Sequence, residues 1–333
     1  MDRTTSQAKV ITVTLNPFLD RTLVTHFLAL GYHNQTTDTT RLDPAGRGIG
    51  VARALHAWGV PVHAIVLVGQ DATGLAYQAL LAEEQFPITL LRREGHTSSR
   101  IIIKDTGHNN ETVIWEASDG VTDADLQGVA EALQNLIQPG DRVVFAGSLP
   151  GGVPQDTYAW LTDLAQQAGG LVAINAGGGP ALRESLRARP ALVYLSQLEA
   201  EALFNFPVRV EEDIIHCAQM LREEGAGAVL IARTQSNTAL FVAEGGIWSA
   251  SWPEGEGTQS GQNAAMIAGF LAGQFISEDV DQALALGAAA AAYTLSQVGH
   301  EFGSLKDVRE QVEQVEVVPV EEDEAEQDAA EAR

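Results

Sequence analysis

"DRVVFAGSLPGGVPQDTYAWLTDLAQQAGGLVAIN", Asp141 to Asn175, sets two short apolar runs on either side of a helical one. "DRVVFAGS" and "GLVAIN" are β-branched and continuous rather than alternating, the pattern of strands buried on both faces. "QDTYAWLTDLAQQAG" between them is amphipathic at helical spacing. Strand, helix and strand in this order read as a crossover joining parallel neighbours in one sheet. The same alternation runs outward in both directions. "VITVTL", "VHAIVLVG", "ALVYLS" and "AVLIAR" read as strands, and "GVARALHAWGV", "DADLQGVAEALQNLI" and "EEDIIHCAQMLREEG" as helices. The chain is therefore of the α/β class, with a parallel sheet covered on both faces. "RTLVTHFLALGYHNQTTDTTRLD" and "TSSRIIIKDTGHNNETVIWEA" break the rhythm as pairs of strands joined by polar turns. Residues of about 21–43 and 98–117 are expected to project as a small β lid over a cleft at the carboxyl ends of the main strands.

With 333 residues, 45% hydrophobic and 19% charged, the chain can bury a substantial core. A formal charge of -24 repels nucleic-acid backbones and anionic membranes, so neither is an expected partner, and an anionic ligand needs a local basic pocket. Cys217 has no second cysteine to pair with and sits in "IIHCAQML", which reads as the buried face of a helix. With that single cysteine a reducing cytoplasm is the expected setting, and "MDRTTSQAKVITVTL" lacks the charged-then-apolar plan of a signal peptide. "ALALGAAAAAYTL" reads as a small-residue packing helix rather than a membrane span. The eight histidines show no metal-ligand spacing. Residues 1–314 are expected to form one body, and 315–333, ending in "VEEDEAEQDAAEAR", an acidic disordered tail.

"TLNPFLDRT", "RLDPAGRGIGVARAL", "GSLPGGVP" and "AAMIAGFLAG" occur in the order and at the spacing of the PfkB family of carbohydrate kinases. Over roughly Val10 to Val312 the chain resembles that family, especially its 1-phosphofructokinase and tagatose-6-phosphate kinase branch. The resemblance implies a ribokinase-like three-layer α/β/α sandwich with a mainly parallel central sheet and a small β-sheet lid. It also implies that Asp20 meets sugar hydroxyls. The family's Gly-Gly-Lys-Gly-x-Asn stretch falls on Ala45, Gly46, Arg47, Gly48, Ile49 and Gly50, so that Arg47 replaces a lysine and Gly50 an amide. Its Arg-x-Asn-x-Lys falls on Arg100, Ile102 and Lys104. A guanidinium at Arg100 suits a sugar's phosphate, although arginines and lysines on exposed strands are commonly only solvated and Asp20 could merely shape a turn.

The nucleotide end departs further from the family. Phosphoryl transfer needs a carboxylate to take the hydroxyl proton and dipoles or metal to offset developing charge. The resemblance aligns the family's Gly-Ala-Gly-Asp with Gly261, Gln262, Asn263 and Ala264, so the catalytic aspartate falls on alanine. Gly261 and the helix dipole leave weak anion binding open at Gln262 to Ala264. The magnesium-organising Asn-x-x-Glu falls on Gln197, Leu198, Glu199 and Ala200. Glu199 or Glu201 could swing in, although adjacent helix positions point about a hundred degrees apart. The nucleotide-phosphate glycines become Thr234 and Asn237, of which Asn tolerates positive φ better, and a strand-end Asp becomes Asn175.

Three readings follow. In the first, the chain is a PfkB-like pseudokinase that keeps sugar-phosphate binding through Asp20, Gly46, Arg47, Arg100 and Lys104 or meets a protein partner, with no catalytic residue and no cofactor required. In the second, it is an active sugar-phosphate kinase using Mg-ATP and a displaced carboxylate, Glu254 or Glu256. In the third, it is a structural protein whose pocket is filled, with Ile102 and Trp115 as plugs, Trp115 otherwise serving lid packing. A homodimer through the lid strands fits all three.

Overall fold

Val10, Ile11 and Val13 have no exposed surface, and the strand they build lies between two parallel neighbours, as its unbroken apolar run requires. The computed structural model describes residues 8–38, 40–116, 120–255, 261–277, 279–295, 297 and 301–320. It divides into two compact units. The first takes residues up to His56 together with Pro61–Val172. In chain order it holds β1 (Val10–Thr14), β2 (Phe18–Thr25), β3 (Arg41–Ala45), α1 (Arg47–Ala57), β4 (Val62–Gly69), α2 (Ala72–Leu81), β5 (Ile88–Arg93), β6 (Ser98–Asp105), β7 (Asn110–Glu116), α3 (Asp123–Leu136), β8 (Arg142–Ala146) and α4 (Thr157–Gln167). The second takes Ala57–Val60 and the residues from Ala173 onward. After β9 (Leu171–Asn175), on which the boundary falls, come α5 (Pro180–Ser185), β10 (Leu192–Ser196), α6 (Gln197–Phe204), α7 (Glu211–Glu223), β11 (Val229–Arg233), β12 (Thr238–Ala243), β13 (Gly246–Ser251), α8 (Gln262–Ile276), α9 (Val280–Leu295), α10 (Leu305–Val312) and β14 (Glu316–Val320).

The large sheet has ten strands in the order β14-β13-β12-β11-β10-β9-β8-β1-β4-β5, and the pairs β1 with β4, β1 with β8, β4 with β5, β9 with β10 and β10 with β11 are parallel. The mainly parallel sheet expected from the alternation is present. The lid is a separate four-stranded sheet in the order β3-β2-β6-β7. It starts earlier than the expected residue 21, at Phe18, so Asp20 stands inside a strand rather than in a turn.

The edge strand β5 and the antiparallel end of the sheet were not anticipated. β11 to β14 are antiparallel, and β14 pairs all along β13 from Glu316↔Ser251 to Val320↔Ile247. The expected tail boundary at residue 315 therefore falls ahead of a paired strand, and residues 321–333, which hold most of the acidic run, lie outside the described residues. A short valine-rich piece inside an acidic sequence carries too weak a pattern to be read as a strand until β13 supplies its partner.

The Ala-rich run forms α9, which packs on α8 through small residues. A Cβ on Gly269 would lie 2.6 Å from the Leu286 carbonyl oxygen, and one on Gly273 2.4 Å from the Ala283 Cα. Neither position admits a larger side chain without moving backbone. Cys217 lies buried on α7, as its neighbours implied, and burial pushes its thiol up to about 11. Among the described residues, no helix is long and apolar enough to cross a membrane.

Candidate active site

The residues implied at the sugar end all lie in the first unit. Two buried tyrosines set the loops around them. Tyr77 OH donates to the Ala45 carbonyl at 2.9 Å and Tyr158 OH to the Gly147 carbonyl at 2.9 Å, and burial pushes both phenols well above the usual range. Gly46 turns the chain from β3 into α1 with φ 139, and a Cβ there would press on Thr14 Cγ2 at 2.9 Å. A Cβ on Gly48 would meet Thr14 Oγ1 at 2.3 Å. The glycines of this stretch thus let the start of α1 sit against the end of β1. Arg47 is the first residue of α1, close enough to Tyr158 for its charge to act on the phenol.

Asp20 and Arg100 face each other across β2 and β6. Asp20 is 1% exposed. Arg100 Nε donates to Asp20 Oδ1 at 2.8 Å and Nη2 to Oδ2 at 2.5 Å. The guanidinium lies 4.6 Å from the Phe18 ring centre and 5.8 Å from that of Trp115. Ile102 and Lys104 follow Arg100 on the same strand face, opposite Thr22 and Val24 on β2 and Val113 and Glu111 on β7. The backbones at Arg100 and Lys104 are about 13 Å apart, so only their side chains can bring the two charges together.

Of the two expected plugs, Ile102 is buried at 5%, but Trp115 is 52% exposed. Its Nε1 donates to Ser98 Oγ and its ring leans on Phe18, with centroids 5.3 Å apart, which is lid packing rather than pocket filling. Sequence reasoning missed Phe18, Ser98, and Asp43 with its partner Arg41. The signal existed in the two-residue strand period, but the register between strands was needed to use it.

The nucleotide-end residues lie in the second unit. Gly261 caps α8 with φ 89, and α8 has no acidic residue in its first turn. Gln262 is 1% exposed and its Nε2 donates to the Ala291 carbonyl on α9, while Asn263 Oδ1 accepts from Tyr194 OH of β10 at 2.9 Å. Ala264 is buried at 5%. The polar side chains of this turn therefore brace helix and strand.

Glu199 Oε2 accepts from Ser196 N and Oγ in a capping box at the start of α6, and Glu201 Oε1 accepts from Val208 N. Both carboxylates have structural work at α6. Asn175 ends β9 fully buried, and the loop after it passes so close to α6 that a Cβ on Gly178 would lie 1.9 Å from the Glu199 carbonyl oxygen. Thr234 opens a short 3-10 turn, and Asn237 closes it in the left-handed region at φ 52, ψ 42, as its tolerance for that conformation suggested. Glu254 is on the exposed strand exit after β13, and Glu256 lies outside the described residues. Among the described residues, no group of three or more His, Cys, Asp or Glu side chains is placed to hold a metal ion.

A mainly parallel ten-stranded sheet, a separate four-stranded sheet bearing a buried Asp and Arg, and a glycine-capped helix after β13 make up a ribokinase-like α/β fold. The profile of the pfkB family carbohydrate kinases matches residues 14–308, and the chain belongs to that family. Among curated relatives, the 1-phosphofructokinase of Bacillus subtilis is 29% identical over 309 residues, covering 92% of this chain and 99% of its own. That of Xanthomonas campestris is 32% identical over 268 residues, covering 79% of this chain and 83% of its own. Among solved structures, phosphofructokinase-2 from Escherichia coli, in complex with substrates and products, superposes with a TM-score of 0.84 at 23% identity, covering 92% of this chain and 99% of that one. A possible 1-phosphofructokinase from Thermotoga maritima gives 0.82 at 23% identity, covering 94% and 100%.

Proposed function

We propose that this pfkB-family chain binds a sugar phosphate on its lid and has lost phosphoryl transfer, a pseudokinase of the 1-phosphofructokinase type. The observation that carries the reading is the first turn of α8, where Ala264 is buried, Asn263 is bonded to Tyr194 and no acid is present. An amide accepts no proton at neutral pH, and removing a general base costs about 10²–10⁴ in rate. The family's magnesium-organising acid falls on Ala200, and the occupied carboxylates of Glu199 and Glu201 on either side of it support the same reading. No cofactor is required in it, and the setting it implies is the cytoplasm.

Titration calorimetry with Mg-ATP, fructose 1-phosphate, fructose 6-phosphate and tagatose 6-phosphate tests it, beside a coupled assay for ADP release. Binding of one sugar phosphate with turnover below about 0.01 s⁻¹ is the expected result, against about 10 s⁻¹ for an ordinary enzyme. Turnover near the ordinary rate overturns it in favour of an active kinase using Mg-ATP, and Glu254→Gln and Glu256→Gln then identify a displaced base.

A homodimer through the lid belongs to the same reading. Leu42 and Ile114 are 36% and 56% exposed, and strand alternation places them with Ile101 on the lid face opposite Asp20 and Arg100.

A further inference from the structure

At the carboxyl end of α8, about 16 Å along the helix from Gln262, the second unit holds a cavity of about 490 Å³. Ile276 of α8, Leu286 of α9, Val312 of α10 and Val317 of β14 give it apolar walls, and Asp281 of α9 and Arg309 of α10 bring one charge each. The backbone around it is fixed. Gly273, which also lines the cavity, lets α8 lie against α9 so closely that a Cβ there would be 2.4 Å from the Ala283 Cα. β14 is held to β13 from Glu316 to Val320, and α10 starts in a capping box of Ser304 and Asp307. A space of this size, apolar with a few polar groups at its edge, has the form of a small-molecule site.

Among the described residues, neither the Asp281 carboxylate nor the Arg309 guanidinium forms a hydrogen bond or an ion pair, with the other or with any third group. The acids of α10 are engaged elsewhere, Asp307 in the cap and Glu310 with Lys306 at 3.9 Å. Each charge complements the dipole of its own helix, Asp281 in the first turn of α9 and Arg309 in the last turn of α10. That role needs only solvent around the charged group and does not require both to border one apolar cavity.

The lining asks for an apolar body, an anion for Arg309 and a cation for Asp281. Residues 321–333 carry no apolar side chain larger than alanine, so this part of the chain offers the walls little to bury. An organic anion leaves Asp281 unmatched and adds to a charge of -24, and an amine alone is repelled by Arg309. A zwitterion meets both groups and adds no net charge. We propose that the cavity binds an apolar α-amino acid, with its carboxylate on Arg309, its ammonium group on Asp281 and its side chain against Leu286, Val312 and Val317. The site is separate from the sugar-phosphate face and stands or falls without it.

Calorimetric titration of the full chain with L-leucine and L-phenylalanine tests this. Each is compared with its analogue lacking the amine, 4-methylpentanoate or 3-phenylpropanoate, and with its analogue lacking the carboxylate, 3-methylbutylamine or 2-phenylethylamine. One of the two amino acids is expected to bind with a Kd below about 1 mM, and its analogues at least about tenfold more weakly. Arg309→Gln and Asp281→Asn should each weaken its binding about tenfold. Ala285→Leu fills the cavity from α9 without touching either charge, and should abolish binding while the far-ultraviolet spectrum stays unchanged. Undiminished affinity in folded Ala285→Leu overturns the cavity as the site. Binding of the analogue without the amine as tight as that of its amino acid overturns the zwitterion. Failure of the folded, unaltered chain to bind either amino acid overturns the proposal as a whole.

Discussion

Asn237 shows what a single residue can reveal at an altered motif. It holds φ 52, ψ 42, a region that costs most L-residues about 1–2 kcal/mol and asparagine less. Asn237→Ala is expected to lower unfolding free energy by about 1 kcal/mol in urea titration, and Asn237→Gly to change it by less than about 0.5 kcal/mol. Equal losses for both would mean that the buried side chain, not the backbone, matters. This position was legible in the sequence because a glycine-requiring turn leaves few substitutes. Arg100 was legible as a guanidinium suited to phosphate, but its engagement was not: Asp20 is 80 residues away in sequence, and only the register of β2 with β6 makes them neighbours. The same holds for Gln262 and Asn263, whose amides read as remnants of an anion hole until α9 and β10 supply their partners.

At the scale of an element, α2 depends on its cap. Asp71 Oδ1 accepts from Gly74 N and Thr97 N at 3.0 Å each, and Oδ2 accepts from Thr73 N at 3.3 Å, so one carboxylate closes the helix and ties it to the start of the lid. Burial pushes this carboxyl up, but the hydrogen bonds from Thr97, Gly74 and Thr73 outweigh it and hold it below the usual range. A folded-state value below the unfolded one stabilises the protein above the unfolded value of about 3.9, and that stability is lost as pH falls through the lowered one. Asp71→Ala should therefore lower stability by about 1 kcal/mol at neutral pH. The gap between the unaltered chain and Asp71→Asn should narrow as pH falls from about 5 to about 3, read from urea midpoints; a gap constant with pH would mean that the charge contributes nothing. Elements with long apolar runs were legible by pattern alone. β13 and β14 were not, because glycine, serine, glutamate and proline interrupt their few apolar residues, and their pairing is decided by neighbours in the sheet.

At the scale of the whole molecule, charge and lid face act in opposite directions. Copies carrying -24 repel, whereas the lid offers Leu42, Ile101 and Ile114 on one face. If that face joins two copies, Ile114→Asp places two new charges in the contact and should convert the dimer to monomer in sedimentation velocity, without changing the far-ultraviolet spectrum; a sedimentation coefficient unmoved by the change would place any dimer contact elsewhere. The charge has a second consequence, within one chain. Of 20 basic residues only Lys9, Lys104 and Lys306 are lysines, set against 44 acids, so long-range repulsion among carboxylates opposes the folded state. Salt screens this term, and the screening length drops from about 10 Å at 0.1 M to about 3 Å at 1 M. Melting temperature should therefore rise by about 5–10 °C between about 0.05 M and 1 M sodium chloride and then flatten, because little repulsion is left to screen. A rise that continues undiminished to about 3 M would point instead to exclusion of salt from the surface, and a flat or falling curve would mean that the acids are spaced widely enough not to repel.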